Sequence, residues 1–373
     1  MTDSSQDAVI LSELIPCKVP GKFIGRITLN SPRTLNSLSL DMIVGMREIL
    51  HNWERDARVA MLFIDGCGEK AFCAGGDVKR IHGFIAHARA SAADPVALCQ
   101  VFFENEYRLD FAIHRYPKPI VVWGDGIVMG GGIGIMNGAS HRIVTETTMM
   151  AMPEITIGLY PDVAASYFLP KMPGRIGLFL AMTAARVNGA DALFVGLADH
   201  YLPRASKAKM LDALKSIRLD SGLADEITRV LSAHKVPHSP LKGRQKEIDS
   251  WMAGDDVETI YDRFQAMEPR DDDKLLTAAR QTILRGSPSS LKIAFEQYRR
   301  SKGISLKAAF EQELVMSIQC CLHPDFPEGV RALLVDKDNA PKWSPGAVGE
   351  VSQVLVNEHF KAPWPHENPL SDL

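Results

Sequence analysis

Apolar and polar positions follow two different periods along this chain. Residues 22–30 (KFIGRITLN) alternate with period two, as a strand does, and Ser31-Pro32 closes the run. Met42, Ile43, Met46, Ile49, Leu50 and Trp53 then share one face of a 3.6-residue period. Ser39 or Asp41 is placed to cap the start of that helix. Residues 59–64 (VAMLFI) are continuously apolar and end at Asp65-Gly66, the pattern of a strand buried on both faces of a parallel sheet. Residues 71–81 (AFCAGGDVKRI) read as a glycine-bearing loop running into a helix. A further helix is expected over 96–115, with Glu104 and Glu106 beside Val101, Phe102 and Phe103, ended by Pro117 and Pro119. Residues 120–123 form another buried strand. Strands and helices joined by short loops predict an α/β fold with right-handed crossovers.

From about residue 200 the pattern becomes amphipathic, charged and helical. Helices are expected over 205–217, 221–233, 241–265, 271–284, 288–301 and 304–322, and a boundary near 200 divides the chain into 1–200 and 201–373. Asp271-Asp272-Asp273 reads as a helix start favoured by the helix dipole rather than as a metal site. The last dozen residues, with Pro363, Pro365 and Pro369, read as frayed. No solenoid repeat is visible.

Composition narrows the class. The 373 residues exceed what one ordinary core fills. A net charge of −3 without a basic block argues against nucleic acid and anionic membrane as partners. Six cysteines show no zinc-like pairing and read as reduced thiols in a cytoplasmic compartment. The polar, acidic start MTDSSQDAVI is unlike a secretory or transit segment. No apolar run reaches the roughly 18–20 residues of a membrane span. The expectation is a soluble, cytoplasmic, globular protein.

Candidate chemistry concentrates in residues 126–169. Three glycines (Gly130, Gly131, Gly132) precede an apolar run, and two carboxylates, Glu154 and Asp162, each follow a proline within it. Carboxylates in such surroundings have perturbed proton affinity. A second glycine loop, Ala74-Gly75-Gly76-Asp77, also follows a strand and leads into a helix. N–H groups at helix starts lack intrahelical partners, and two facing loops could offer two donors to one developing oxyanion. Read alone, the glycines equally allow tight strand-to-helix turns. Asp77 reads as a helix cap. Neither loop is a Walker A sequence, and GGGIG is a weak dinucleotide signal.

These residues resemble the enoyl-CoA hydratase/isomerase (crotonase) superfamily. AFCAGGD is similar to its first oxyanion loop and GIVMGGGIG to its second. MPEITIGLYPDVAASYFLP, with FFENEY at 102–107 and FPEGVRALLVDKDNAPKW at 326–343, resembles one branch, the 3-hydroxyisobutyryl-CoA hydrolases, over about residues 20–360. The resemblance implies a crotonase-like spiral of ββα units followed by a helical C-terminal region. It also implies hydrolysis of the thioester of 3-hydroxyisobutyryl-CoA in valine catabolism, with 3-hydroxypropionyl-CoA as a second candidate. Gly76 and Gly131 would give the oxyanion-hole N–H groups. Glu154 would be the principal catalytic carboxylate, Asp162 its partner, and Glu106 the group that meets the acyl hydroxyl or the catalytic water. Arg33 and Lys79 fall where the superfamily places cations near CoA phosphates. No cofactor or metal is implied beyond the CoA of the acyl-CoA substrate, and the superfamily keeps a homo-oligomer among the expectations.

One departure separates the activities within the superfamily. Its hydratases carry a glutamate two residues after the third glycine, whereas here Gly132 is followed by Ile133 and Gly134. Hydrolysis therefore fits better than hydration or isomerisation of another acyl-CoA. The remaining alternatives are a non-catalytic CoA- or RNA-binding protein of this fold and a purely structural glycine-rich protein.

Overall fold

Each of the first buried strands is followed at once by a short second strand and then by a helix. In the computed structural model, residues 8–91, 93–219, 222–232, 234–269 and 271–373 are described. The expected leaderless start at residues 1–7 and the expected helix ends at 221 and 233 lie outside them. The strands are β1 (Ile10–Pro16), β2 (Phe23–Leu29), β3 (Val59–Gly66), β4 (Ala71–Cys73), β5 (Ile120–Gly124), β6 (Ile127–Met129), β7 (His141–Val144), β8 (Met149–Ala151), β9 (Val187–Asn188) and β10 (His200–Tyr201). The four N-terminal helices are α1 (Leu40–Arg55), α2 (Val78–Ser91), α3 (Pro95–His114) and α4 (Gly131–Gly138).

β3–β4–α2 and β5–β6–α4 are successive ββα units. The first strand of each unit joins a six-stranded sheet of order β1-β2-β3-β5-β7-β10, and the second joins a four-stranded sheet of order β4-β6-β8-β9. From β2 to β10 the larger sheet is parallel, and β1 adds an antiparallel edge. This is the expected ββα spiral. Ser39, not Asp41, caps α1, accepting the Met42 N–H at 3.2 Å.

Contacts group the chain into two interleaved units rather than two consecutive stretches divided near 200. Residues 1–76, 109–150 and 187–242 form the first unit, and residues 77–108, 151–186 and 243–373 the second. The reason lies in the core of the first unit. Ile24, Phe63, Val121 and Trp123 on the sheet share a buried cluster with Met210, Leu214, Ile227 and Leu231 from the helices Lys207–Leu214 and Leu223–Leu231. Burial of apolar area binds those helices to the sheet despite their charged outer faces.

In the second unit the long helix expected over 241–265 is broken into Pro240–Gly243 (its first residues grouping with the first unit), Gln245–Trp251 and Val257–Ala266. Gly254 at φ +149° stops the chain, and Asp256 restarts it by accepting the Thr259 N–H at 2.7 Å. Asp273 caps Lys274–Arg285 through the Leu276 N–H at 3.1 Å, the role read from the acidic run. The C-terminal dozen residues are not frayed. Leu370 is fully buried, Asn368 donates to the Glu311 carbonyl at 2.9 Å, and Asp372 pairs with Arg108 at 2.8 Å. Prolines prevent a helix there, but tertiary contacts fix the chain. None of the six cysteines is in a disulfide, and among the described residues no helix is long and apolar enough to cross a membrane.

Candidate active site

The first unit holds both glycine loops, and they touch backbone to backbone. Gly75, at φ +110°, faces the Met129 carbonyl, where a Cβ would make an ordinary contact at 3.4 Å. A Cβ on Gly132 would lie 2.5 Å from the Cys73 carbonyl oxygen. Conformation calls for glycine at Gly75, whose φ is positive, and close approach calls for it at Gly132. Gly130, at φ +47°, is the N-cap of α4, and no side chain caps that end, so the Gly131 N–H has no intrahelical partner. Gly76 forms a bridge with Leu38 in which Leu38 donates to the Gly75 carbonyl, leaving the Gly76 N–H outside that bond.

A residue without an assigned role supports the first loop. Asn36 is fully buried and donates to the carbonyls of Cys67 at 2.9 Å and Ala71 at 3.0 Å, while accepting the Ser31 N–H at 2.9 Å. It ties the end of β3, the start of β4 and the turn carrying Arg33 together. Its left-handed backbone, at φ +55°, is one that asparagine tolerates better than most residues.

The second unit gathers the three carboxylates. Glu106 on α3 is 2 % exposed, and Glu154 and Asp162 are each 5 % exposed. Among the described residues, Glu106 Oε1 and Glu154 Oε2 have no hydrogen-bond partner, a costly state for buried polar atoms unless a ligand completes it. Burial first, and the charge of Asp162 second, push the proton affinity of both glutamates well above the ordinary range. Asp162 is pushed up to about 6 by burial, opposed by a hydrogen bond from Tyr107 Oη at 2.8 Å. Among the described residues, Asp162 is the one of the three carboxyls that receives a side-chain donor, and it is the member best held as the anion.

The loop after Asp162 is strained. Val163 and Ala164 lie at φ +52° and +70°, and a β-branched residue in the left-handed region is an outlier. Glu313, on the helix Leu306–Leu322, holds this loop by accepting the Ala164 and Ser166 N–H groups at 2.7 and 2.8 Å. Ser317 lies one turn further along, 2.6 Å from Tyr107 Oη and 2.8 Å from Tyr160 Oη. Sequence reasoning passed over Tyr107, Tyr160, Glu313 and Ser317. The available signal was Glu313 and Ser317 spaced i, i+4 in a largely apolar run, ELVMSIQCC.

The candidate cations are exposed and belong to different units, Arg33 on the turn Pro32–Thr34 and Lys79 on α2. Asp77 is a cap, accepting the Arg80 N–H at 3.3 Å.

Two glycine loops, strand-borne and joined through their backbones, and a buried acid cluster are features that comparison with known proteins can place. Residues 24–360 match the enoyl-CoA hydratase/isomerase family. The chain belongs to that family. Among similar members, the 3-hydroxyisobutyryl-CoA hydrolase of Gallus gallus mitochondria is 38 % identical over 352 residues, covering 90 % of this chain and 86 % of the relative. The human mitochondrial 3-hydroxyisobutyryl-CoA hydrolase is 36 % identical over 343 residues, covering 91 % and 86 %. A solved carnitinyl-CoA dehydratase from Mycobacterium thermoresistibile superposes with a TM-score of 0.83 at 37 % identity, covering 98 % of this chain and 99 % of that one. The family fold is thus reproduced through the helical C-terminal region.

Proposed function

We propose that this enoyl-CoA hydratase/isomerase family member hydrolyses the thioester of 3-hydroxyisobutyryl-CoA to 3-hydroxyisobutyrate and CoA, a step of valine breakdown. The observation that carries the reading is the buried pair Glu154 and Asp162, one with an unpartnered oxygen and the other anchored by Tyr107. The curated relatives named for that hydrolysis support it, at 36–38 % identity.

Gly76 and Gly131 supply the N–H donors for the oxyanion; in other systems one such donor lowers the barrier by about 3 kcal/mol. Glu154 either attacks the thioester carbonyl, forming a mixed anhydride that water opens, or takes a proton from an attacking water. Its raised proton affinity makes it, once it has lost its own proton, a stronger base than an exposed glutamate. Asp162 orients the water. CoA thiolate departs without help from a strong acid, and Glu106 receives the 3-hydroxyl, a contact that selects for substrates bearing it.

A second reading, hydration of an enoyl-CoA, has the solved dehydratase as its support. Gly134 counts against it, since it stands where the hydratases of the superfamily carry a glutamate. Thiol release and double-bond absorbance, measured on 3-hydroxyisobutyryl-, 3-hydroxypropionyl- and crotonyl-CoA, separate the two. Hydrolysis of the hydroxyacyl thioesters with crotonyl-CoA untouched is the expected result; rapid hydration of crotonyl-CoA without thiol release overturns the proposal.

A further inference from the structure

Asp162 does not end at Tyr107. Behind it, within the second unit, runs an unbranched line of three hydroxyls: Tyr107 Oη at 2.8 Å from Asp162 Oδ2, Ser317 Oγ at 2.6 Å from Tyr107, Tyr160 Oη at 2.8 Å from Ser317, and the Glu313 carbonyl at 2.6 Å from Tyr160. Tyr107, Tyr160 and Ser317 are all fully buried.

Counting protons in this line gives an unexpected result. There are four short oxygen–oxygen contacts, and the three hydroxyls carry one proton each. With Asp162 ionised, Tyr107 donates to it and Ser317 donates to Tyr107. The Tyr160 proton then serves either Ser317 or the Glu313 carbonyl, and one contact is left without a proton. With Asp162 protonated at Oδ2, its own proton fills the first contact and every hydroxyl turns the other way. Tyr107 then donates to Ser317, Ser317 to Tyr160, and Tyr160 to the carbonyl, and all four contacts are filled.

We infer that Tyr107, Ser317 and Tyr160 form a reversible hydroxyl relay that serves both charge states of Asp162, turning toward it when it is the anion and away when it takes a proton. No proton leaves the line: Asp162 gains or loses one, and the three hydroxyls only rotate. The three are positioning residues for the reaction. The relay lets Asp162 accept a proton from water and release it without leaving a buried donor unpaired, which a fixed donor could not do. The placement of Asp162 near 6 agrees with an acid whose two states are both accommodated. The groups facing Asp162 are Glu106 and Tyr107 from α3, Glu154, Tyr160 from its own loop, and Glu313 and Cys320 from Leu306–Leu322. Of these only the tyrosines reach it through the line.

The functional meaning of the relay rests on the assignment of Asp162 to water activation, but its test does not. The relay requires opposite shifts from two conservative changes. Tyr107→Phe removes the donor that stabilises the anion, so the Asp162 titration midpoint rises. Tyr160→Phe removes the acceptor at the far end, so the protonated state leaves the Ser317 proton unpaired, and the midpoint falls. Each shift is expected to be about one pH unit.

The experiment is a ¹³C NMR pH titration of full-length protein labelled at the aspartate carboxyl carbon, with the Asp162 signal assigned by its loss in Asp162→Asn. A rise in Tyr107→Phe together with a fall in Tyr160→Phe supports the relay. Shifts of the same sign, or no shift in either folded variant, overturn it. Thiol release by Asp162→Asn is measured alongside. Wild-type hydrolysis by that variant overturns the role of Asp162 in the reaction while leaving the opposite shifts, and so the relay, intact.

Discussion

Glu313 binds the backbone of Ala164 through a hydrogen bond of 2.7 Å, and with its other oxygen it binds Ser166 at 2.8 Å. This one carboxylate holds in place the two left-handed residues that follow Asp162. Glu313→Gln turns one acceptor into a donor facing a buried N–H. Leaving such a group unsatisfied costs about 1–3 kcal/mol. The expected outcome is a loss of that size in urea denaturation, with kcat for thioester hydrolysis reduced more than KM is raised.

Asp162 trades stability for function. Its proton affinity in the folded state is raised from 3.8 to about 6, so protonation favours the fold. That contribution is fully present below about pH 4 and is lost as pH rises through 6. Asp162→Asn keeps the shape and an acceptor for Tyr107 but removes the buried charge. At pH 8 the variant should be more stable than wild type by on the order of 2 kcal/mol and nearly inactive. At pH 4 the difference should vanish. Denaturation at both pH values checks the sign.

Contact between the glycine loops leaves no room for a methyl group. Gly132→Ala would set a Cβ 2.5 Å from the Cys73 carbonyl oxygen and 2.9 Å from Cys73 Cβ. Displacing a catalytic element by about 1 Å costs on the order of 100-fold in rate. A drop of that order in kcat/KM, with circular dichroism unchanged, is the expected outcome.

The C-terminal dozen residues contribute directly to the second unit. Leu370 is fully buried, and Leu370→Ala should destabilise the protein by about 2–5 kcal/mol, as other buried leucines do. Thermal unfolding measures it; a change below 0.5 kcal/mol would mean that the tail is loose, as its prolines suggested.

The parts of the site that follow from local rules were legible in the sequence. Continuous apolar runs marked β3 and β5, glycines marked both strand-to-helix turns, and prolines set off Glu154 and Asp162. What escaped depends on distant pairing. β7 and β10 are short strands that pair with each other across more than fifty residues, and β1 is a sheet edge with polar positions along it. Tyr107 and Ser317 are separated by 210 residues, yet their oxygens lie 2.6 Å apart. Tyr107 has no composition signal, because a tyrosine beside phenylalanines reads as core, and the spacing of Ser317 from Glu313 does not name its partner. The break at Gly254 was likewise hidden, since amphipathic spacing persists across it.

Glu154 carries the central claim. Thiol release from 3-hydroxyisobutyryl-CoA by Glu154→Gln, compared with wild type at pH 8, tests it most directly. Loss of the nucleophile or base should lower kcat by on the order of 10³-fold, with the variant folded and still binding the thioester. Near wild-type hydrolysis by folded Glu154→Gln would contradict the account.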